Sequence, residues 1–253
     1  MSDHNLRARM LRGDILAGTF MKTPAPEWVE ILAFSGLDFI CLDAEHAPFD
    51  RARMDACLAV GRALDFPVLV RVPDGTQAEI LKALDSGAVG VVVPHVATPE
   101  KARNIAKWSR FGHGGRGYAG SHRWAGFGTR PMADILAQST EETIVIGQIE
   151  EPEAVAAIDA IAATEGLDGV FVGPADLAVC VGETDITSAP VVDAMRTVAD
   201  AAKRHGKAAM TFTPNAAGAK ALTEQGMTMF FVGSEHAFAL TAARQTVADM
   251  QNL

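Results

Sequence analysis

A strand, a helix and a second strand follow one another in residues 67–96, PVLVRVPDGTQAEILKALDSGAVGVVVPHV. The first and last segments, 67–72 and 89–96, are short, nearly continuous apolar runs, which is typical of strands buried on both faces of a parallel sheet. Between them, residues 76–86 have the apolar spacing of an amphipathic helix, and Gly87 follows where such a helix is expected to end. The stretch therefore predicts one βαβ unit.

The same alternation continues along the chain. Apolar runs predict strands at 16–21, 38–43, 67–72, 89–96, 143–150, 168–173, 207–213 and 227–233. Amphipathic stretches predict helices at 26–35, 50–64, 76–86, 98–108, 152–163, 187–205, 214–225 and 235–250. Eight βα units in 253 residues have the size and count of a (β/α)8 barrel. We therefore predict an α/β protein in which residues 1–253 form a single (β/α)8 TIM barrel domain.

A doubly wound open sheet is the alternative fold. Such a sheet usually has a glycine-rich phosphate-binding turn after its first strand, and residues 21–28, MKTPAPEW, contain no glycine. One segment interrupts the alternation: residues 109–130 contain seven glycines and no periodicity. A loop of this length in a compact domain is more often functional than not.

Composition and charge exclude several classes of partner. The net charge is −9 and no basic stripe is present, which argues against nucleic acid and against an anionic membrane surface. No stretch approaches the roughly 18 apolar residues of a membrane span, and the N-terminal residues lack the apolar segment of a signal peptide. Cys41, Cys57 and Cys180 lie in apolar sequence without paired spacing, which predicts reduced, buried thiols in a cytoplasmic protein.

Polar residues collect where the predicted strands end, and in a TIM barrel the active site forms at the C-terminal ends of the strands. The second predicted strand, for example, runs directly into the polar residues of CLDAEHAPF, residues 41–49. The polar residues at these strand ends are Asp43, Glu45, His46, Arg71, His95, Gln148, Glu150, Asp176 and Ser234. We expect them to meet on one rim of the barrel.

Carboxylates near a buried rim need a positive partner. Gln148 and Glu150 are two residues apart and therefore share a face of their strand. Glu150 could pair with Arg71, or it could bind a divalent cation such as Mg²⁺ or Mn²⁺ together with Asp176. Asp176 could instead cap the helix that begins near Pro174.

His46 follows Asp43 by three residues. A carboxylate at this spacing can orient and charge-match an imidazole, which favours an acid–base pair over a structural histidine.

Six short motifs carry a family resemblance: LDAEHAP (42–48), RV (71–72), LDSGAVGVVVP (84–94), RG (116–117), QIE (148–150) and GLDGVFVGPADL (166–177). In this order and spacing the chain resembles the HpcH/HpaI aldolases, which are metal-dependent class II pyruvate aldolases of the 4-hydroxy-2-oxoheptane-1,7-dioate aldolase type. The resemblance covers essentially the whole chain. It implies a (β/α)8 barrel whose last helix is exchanged with a neighbouring subunit, and a hexamer built as a trimer of dimers.

The resemblance also implies a metal site and a pyruvate site. Glu150 and Asp176 would be the ligands of a divalent cation, with Mg²⁺, Mn²⁺, Co²⁺ and Zn²⁺ as the candidates. The residues that would lie against pyruvate are Gln148, Gly173, Pro174 and Ala175.

Further catalytic roles follow from the same resemblance. Arg71 would contact the keto oxygen of pyruvate, and His46 paired with Asp43 would be the acid–base dyad. Asp85 would reach the site of a neighbouring subunit. His95 departs from the family, where an apolar residue is common after the proline.

The resemblance implies reversible cleavage of a 4-hydroxy-2-oxo acid to pyruvate and an aldehyde. Three alternatives remain open. A Schiff-base aldolase needs a lysine inside the barrel, and only Lys22 could point towards the rim. Another metal- and enolate-dependent carbon–carbon lyase of the citrate-lyase-like superfamily would differ in the electrophile. A non-catalytic binding barrel is possible because a fold does not fix a function.

Overall fold

Eight parallel strands close into a barrel in the computed structural model, which describes residues 5–253. Residues 1–4, with which the predicted domain begins, lie outside the described residues. The strands pair in chain order, and β8 returns to β1. They are β1 (Leu16–Met21), β2 (Phe39–Asp43), β3 (Val68–Arg71), β4 (Gly90–Val93), β5 (Ile144–Ile149), β6 (Gly169–Val172), β7 (Ala208–Thr213) and β8 (Met229–Ser234). The predicted (β/α)8 TIM barrel is confirmed, and the doubly wound sheet is wrong.

Helices surround this barrel. They are α1 (Leu6–Arg12), α2 (Pro26–Ala33), α3 (Arg51–Ala63), α4 (Gln77–Ser86), α5 (Pro99–Trp108), α6 (Met132–Glu142), α7 (Pro152–Ala156), α8 (Ile158–Ala162), α9 (Pro174–Cys180), α10 (Ala189–Arg204), α11 (Ala216–Glu224) and α12 (Glu235–Gln251). The prediction of one helix over 152–163 is wrong, because the chain breaks the helix at Ala157. The helices α1, α6 and α9 are additional to those predicted. None of the described helices is long and apolar enough to cross a membrane.

The strands bury side chains on both faces, as their near-continuous apolar sequence predicts. In β3, Val68 and Val70 belong to the core between the barrel and its helices, whereas Leu69 belongs to the core inside the barrel. Arg71 continues the inward-facing row, and its guanidinium lies 4.5 Å from the centre of the Phe20 ring. The alternation thus delivers a charged side chain to the interior at the C-terminal end of the strand.

The N-terminal end of the barrel is closed by α1. Leu6 and Met10 pack into the core inside the barrel. Arg7 on the same helix forms an ion pair of 2.7 Å with Asp168, which is almost fully buried just before β6. Because this end is plugged, access to the interior is from the C-terminal ends of the strands.

The three cysteines do not share one environment. Cys41 and Cys57 are buried, and burial raises the pKa of the Cys57 thiol to about 11. Cys180 is exposed at the end of α9, so the prediction that all three thiols are buried is wrong. Apolar neighbours in sequence did not indicate burial here, because α9 turns its last residues to solvent.

Candidate active site

A cavity of about 310 Å³ opens at the C-terminal ends of the strands. Its floor contains the aromatic rings of Phe20 and Phe171, and Phe212 with Pro214 extends the wall at the end of β7. The predicted site residues that line it are His46, Arg71, Gln148, Gly173, Pro174, Ala175 and Asp176. Ser234 lines it as well, so five of the nine predicted rim residues meet at one cavity, whereas Asp43, Glu45, His95 and Glu150 are not among its lining residues.

Asp43 and Arg71 form a two-pronged ion pair beneath this cavity. Nε of Arg71 donates to Oδ1 of Asp43 at 3.0 Å, and Nη2 donates to Oδ2 at 2.8 Å. Asp43 is fully buried and Arg71 nearly so. Burial favours the neutral carboxyl, but the guanidinium outweighs it and holds the pKa of Asp43 below its ordinary value.

The expected Asp43–His46 pair differs from what the structure shows. Oδ1 of Asp43 accepts a hydrogen bond of 3.1 Å from the backbone N–H of His46, and both oxygens are occupied by Arg71. The imidazole of His46 lies instead beside Glu45, with 3.7 Å between Nε2 and Oε2. Asp43 thus shapes the turn that carries His46 and does not contact its ring, because strand register places Asp43 opposite Arg71.

Glu45 is a site residue to which the sequence analysis gave no role. Its Oε2 lies 3.3 Å from Nε of Arg71 and its Oε1 lies 3.8 Å from Nε2 of His95. Burial raises the pKa of Glu45, the charges of Arg71 and His46 oppose that rise, and the charge of Glu150 adds to it. The buried Oε2 has no hydrogen-bond donor among the described residues. The sequence did indicate a role for Glu45, since it lies between Asp43 and His46, which were predicted to be catalytic.

Gln148 and Glu150 lie side by side, as their spacing predicts. Nε2 of Gln148 donates a hydrogen bond to Oε2 of Glu150. Ile149 between them packs into the core on the helix side of the barrel. Both polar side chains are almost fully buried, and Oε1 of Gln148 has no partner among residues 5–253.

His95 holds the other oxygen of Glu150. The backbone N–H of His95 donates to Oε1 of Glu150 at 2.7 Å, and Nδ1 of the ring lies 3.1 Å from the same oxygen. The residue has a φ of 55°, which is uncommon for a residue other than glycine. β4 ends before it, at Val93, because Pro94 has no N–H to continue the ladder.

Asp176 faces the cavity from the first turn of α9. It is exposed, its carboxylate accepts no hydrogen bond among the described residues, and the backbone N–H of Gly173 before the helix donates to the carbonyl oxygen of Ile149 at 3.0 Å. The alternative that Asp176 caps this helix is therefore wrong. A Cβ atom on Gly173 would lie 3.3 Å from Oε2 of Glu150 and 3.5 Å from Nε2 of Gln148, so the glycine lets α9 approach these two side chains closely.

The surroundings of the Glu150 carboxylate are compatible with a bound cation. Glu150 is buried, yet in the part of the chain that the structure describes it forms no salt bridge with lysine or arginine, and its basic neighbour is His95. The structural alternative, an Arg71–Glu150 ion pair, is therefore wrong: Arg71 pairs with Asp43 and Glu45. Residues 5–253 contain no group of three or more His, Cys, Asp or Glu side chains that could hold a metal. Glu150 and Asp176 both carry the oxygen donors that divalent cations prefer, and their role as joint ligands stays a prediction.

Lys22 reaches the same cavity from the end of β1. Its Nζ lies 3.4 Å from Oδ2 of Asp43. The turn that carries it is held by Glu235, a fully buried residue whose Oε1 accepts hydrogen bonds from the backbone N–H groups of Lys22 at 2.8 Å and Thr23 at 2.5 Å. The sequence offered one signal for Glu235, because an acidic residue follows strand β8 as Glu45 follows β2.

Asp85 does not lie at this cavity. It is near the C-terminal end of α4, which returns to the plugged end of the barrel, and Nη2 of Arg116 donates to its Oδ1 at 2.6 Å. The guanidinium of Arg116 stacks on Phe111 and Trp124, at 4.5 Å and 5.0 Å from the ring centres. The prediction that Asp85 serves a neighbouring subunit stays a prediction.

The 109–130 loop is irregular, as predicted, and two of its arginines are paired with acidic residues away from the cavity. Arg116 is buried against Asp85, and Nη2 of Arg123 donates to Asp55 at 2.7 Å. Within one chain neither arginine is a wall of the cavity at the strand ends.

Comparisons with known proteins agree with this geometry. A sequence profile described as HpcH/HpaI aldolase/citrate lyase matches residues 16–242. The chain belongs to the HpcH/HpaI aldolase/citrate lyase family. A 5-keto-4-deoxy-D-glucarate aldolase of Klebsiella pneumoniae is 36% identical over 248 residues, which are 97% of this chain and 96% of the relative. The crystal structure of an HpcH/HpaI aldolase/citrate lyase family protein of Burkholderia cenocepacia J2315 is 33% identical, with a TM-score of 0.92 over 98% of this chain and 99% of that one.

Another similar solved structure is named for a different reaction. The crystal structure of the citrate synthase SbnG is 28% identical, with a TM-score of 0.88 over 99% of this chain and 98% of that one. The curated relative named above is an aldolase, and aldolases are carbon–carbon lyases. This HpcH/HpaI family member is thus an enzyme of the carbon–carbon lyase class, as the sequence motifs indicated.

Proposed function

We propose that the chain is a divalent-metal-dependent pyruvate aldolase, which reversibly cleaves 4-hydroxy-2-oxo acids to pyruvate and an aldehyde. The observation that carries the proposal is the buried carboxylate of Glu150, which lies beside the cavity-lining Gln148 and has no lysine or arginine partner among the described residues. A buried negative charge of this kind is costly unless a cation meets it. The aldolase names of the curated relatives favour aldol cleavage over the citrate-lyase-like alternative.

Glu150 and Asp176 are the proposed metal ligands. When bound there, a divalent cation would act as a Lewis acid towards the carboxylate and keto oxygens of pyruvate. Its identity among Mg²⁺, Mn²⁺, Co²⁺ and Zn²⁺ would depend on availability as well as on ligand chemistry. Gln148 would position Glu150 through the hydrogen bond to Oε2, and the backbone of Gly173, Pro174 and Ala175 would bind the pyruvate carboxylate.

Arg71 is the proposed group that stabilises negative charge on the enolate oxygen. Its guanidinium is fixed from below by Asp43 and lines the cavity above. Because the guanidinium is held in place before substrate binds, little reorganisation is needed when negative charge develops on the enolate oxygen. Asp43 is then a positioning residue for Arg71 as well as for the His46 turn.

His46 is the proposed acid–base group for the C4 hydroxyl. Its imidazole lines the cavity, and more than half of its side chain is exposed, so it can exchange protons with solvent or substrate. Glu45, at 3.7 Å from Nε2, would take the orienting role that the sequence analysis gave to Asp43.

The proposed oligomer is the hexamer that the family resemblance implies. Helix α12 supports it: of its 17 residues, only Glu235 is buried in the single chain. Leu240, Val247 and Met250 are more than half exposed on this helix. We propose that α12 packs on a neighbouring subunit and that Asp85 acts at a neighbour's cavity; light scattering coupled to size-exclusion chromatography would distinguish a hexamer from a monomer.

Exchange of the pyruvate methyl protons in deuterated water tests the proposed chemistry. The purified protein with added Mg²⁺ or Mn²⁺ is expected to catalyse the exchange, followed by proton NMR, and EDTA is expected to abolish it. Exchange that is indifferent to EDTA, or trapping of pyruvate by borohydride, would favour a Schiff-base enzyme. No exchange with any of the four cations would favour a binding barrel.

A further inference from the structure

A second cavity lies on the outer surface of the barrel, away from the strand ends. Its volume is about 650 Å³, roughly twice that of the candidate active site, and the two cavities share no lining residue. Its walls come from α5, from the first residues of the 109–130 loop and from the segment 160–166 at the end of α8. Cavities of this size commonly bind small molecules in proteins.

The charge that lines this cavity is opposite in sign to the charge of the whole chain. The basic side chains in its lining are Arg103, Lys107, Arg110 and His113, and one acidic side chain, Glu165, accompanies them. The chain has a net charge of −9, so this local excess of basic groups does not reflect the average surface. A cleft lined by positive charge attracts anions.

Three of these basic side chains have no partner inside the chain. Arg103, Lys107 and His113 are exposed, and none of them forms a hydrogen bond or an ion pair within residues 5–253. Lys107 lies in the last turn of α5, where a lysine also complements the helix dipole. Arg103 lies one turn earlier and His113 beyond the helix, so the dipole does not account for either of them. The donors of all three side chains are available to a ligand.

The glycine-rich turn after α5 adds backbone donors beside Lys107. The N–H of Gly115 closes the turn by donating to the carbonyl oxygen of Gly112 at 3.0 Å. The two N–H groups between them, of His113 and Gly114, donate to no acceptor in the described part of the chain. A Cβ atom on Gly114 would lie 2.7 Å from Nζ of Lys107, so the glycine lets the ammonium lie against the turn. Unpaired backbone N–H groups beside a positive charge are typical of phosphate-binding sites.

Arg110 is a fixed part of the cavity wall. Its Nη1 donates to the carbonyl oxygen of Gly166 at 2.9 Å, and its Nη2 donates to Oδ2 of Asp168 at 2.9 Å. Asp168 also pairs with Arg7 at 2.7 Å. Burial lowers the pKa of Lys207 nearby, Asp168 opposes this shift, and the charges of Arg110 and Arg7 add to it. The single carboxylate of Asp168 therefore does not balance the positive charges beneath the cavity.

Much of the remaining lining is apolar. It consists of the methyl groups of Ala106, Ala160 and Ala163 and the ring of Phe111. The Phe111 ring is held in place by Tyr118, whose ring centre is 5.4 Å away. A ligand that fills the cavity would thus combine an anionic group with an apolar part.

We propose that this cavity binds a small organic phosphate. The phosphate group meets Arg103, Lys107 and the turn that follows α5, and the rest of the ligand packs on the apolar wall. Arg103 and Lys107 are four residues apart and so lie on one face of α5. A guanidinium and an ammonium together suit a phosphate dianion, because the first supplies a planar set of donors and the second a point charge. This ligand is not the substrate, and the proposal does not depend on the aldolase function.

Calorimetric titration of the metal-free protein with phenyl phosphate tests the assignment. Phenyl phosphate combines a dianion with an aromatic ring, phthalate carries two carboxylates on the same ring, and inorganic phosphate has no apolar part. In buffer with EDTA, phenyl phosphate is expected to bind at one site per chain, and the other two compounds are expected to bind more weakly. EDTA removes divalent cations, so the result is the same whether or not the chain is an aldolase.

Replacement of two basic side chains locates the site. The double variant Arg103→Gln, Lys107→Gln is expected to bind phenyl phosphate about ten- to hundredfold more weakly, the range for hydrogen bonds to a charged group. Both side chains are exposed and unpaired, so its Tm should equal that of the wild type. The charge-conserving variant Arg103→Lys, Lys107→Arg should retain most of the affinity. Lys203→Gln removes an exposed lysine on α10 and should retain all of it.

Several results would overturn the assignment. Unchanged affinity in the double variant would mean that phenyl phosphate binds elsewhere, for example beside Arg71 at the strand ends. An equal loss in Lys203→Gln would mean that the net charge of the chain, and not this cavity, governs binding. Tighter binding of phthalate would contradict the commitment to a phosphate. A wild-type protein that binds no phenyl phosphate, with a double variant of altered oligomeric state by light scattering, would show that another copy of the chain covers the cavity.

Discussion

Asp43 and Arg71 occupy paired positions at the ends of β2 and β3, and their side chains meet inside the barrel through two hydrogen bonds of 3.0 Å and 2.8 Å. The pair is the structural centre of the proposed site. It fixes the guanidinium below the cavity, and the same carboxylate shapes the turn that carries His46.

The shape of the Arg71 side chain matters as well as its charge. Lysine cannot reproduce the two parallel hydrogen bonds to Asp43, so Arg71→Lys is expected to misplace the positive charge. We expect the rate of pyruvate methyl exchange to fall by about 10²–10³, the effect of losing one group that stabilises a developing oxyanion. Arg103→Lys, on an exposed face of α5, is the matched control and is expected to exchange at the wild-type rate.

The Asp43–Arg71 pair also predicts how stability changes with pH. Burial opposes ionisation of Asp43, yet Arg71 outweighs it and lowers the pKa below the ordinary value of 3.8. A carboxyl whose pKa is lower in the folded state contributes stability above its unfolded pKa and loses it as the pH falls through the folded value. Urea unfolding should therefore show Asp43→Asn destabilised by a constant amount from pH 7 to about pH 5, with the difference from wild type shrinking in more acidic solution. A difference that grows in acid would contradict the pairing.

Glu235 is expected to stabilise the rim through the turn after β1. Glu235→Ala leaves the backbone N–H groups of Lys22 and Thr23 without their acceptor, and each buried donor left unpaired costs about 1–3 kcal/mol. We expect a loss of free energy of unfolding in this range or above it, measured in denaturant. Glu235→Gln keeps an acceptor oxygen and should lose much less; equal losses in the two variants would show that the hydrogen bonds are not the cause.

Gly173 is expected to be needed for the position of Glu150 rather than for folding. Its φ of −89° is open to any residue, but a Cβ atom would lie 3.2 Å from Cβ and 3.3 Å from Oε2 of Glu150. Gly173→Ala should thus fold normally and bind Mn²⁺ about 10–100-fold more weakly, as changes beside metal ligands commonly do. Gly117→Ala, where a Cβ atom meets nothing within 4 Å, is the control and should bind as wild type. Wild-type affinity in Gly173→Ala would show that Glu150 tolerates the contact.

The barrel strands were predictable because they are short apolar runs buried on both faces. β3 and β4, for example, lie within the predicted 67–72 and 89–96 and are shorter by a few residues. The short helices α1 and α9 were not predictable from periodicity, since seven residues hold only two turns of a helix.

The sequence predicted which residues form the site better than it predicted which of them contact one another. Strand ends and the motifs together indicated the residues that line the cavity, but not their partners. Asp43 meets Arg71 rather than the His46 ring because strand register decides cross-strand contacts, and one sequence does not reveal register. Lys22 and Glu235 gain their places through a contact between the first and last strands, which is the longest-range contact of the barrel.

Binding of Mn²⁺ to wild-type protein, Glu150→Gln and Asp176→Asn, followed by electron paramagnetic resonance, tests the central claim most directly. The account predicts one tight site per chain in the wild type and a loss of about a hundredfold or more in affinity in each variant, beyond the range for residues that only support a ligand. Asp134→Asn, outside the cavity, should bind as wild type. Unchanged affinity in either Glu150→Gln or Asp176→Asn would contradict the claim that these two carboxylates bind the cation together.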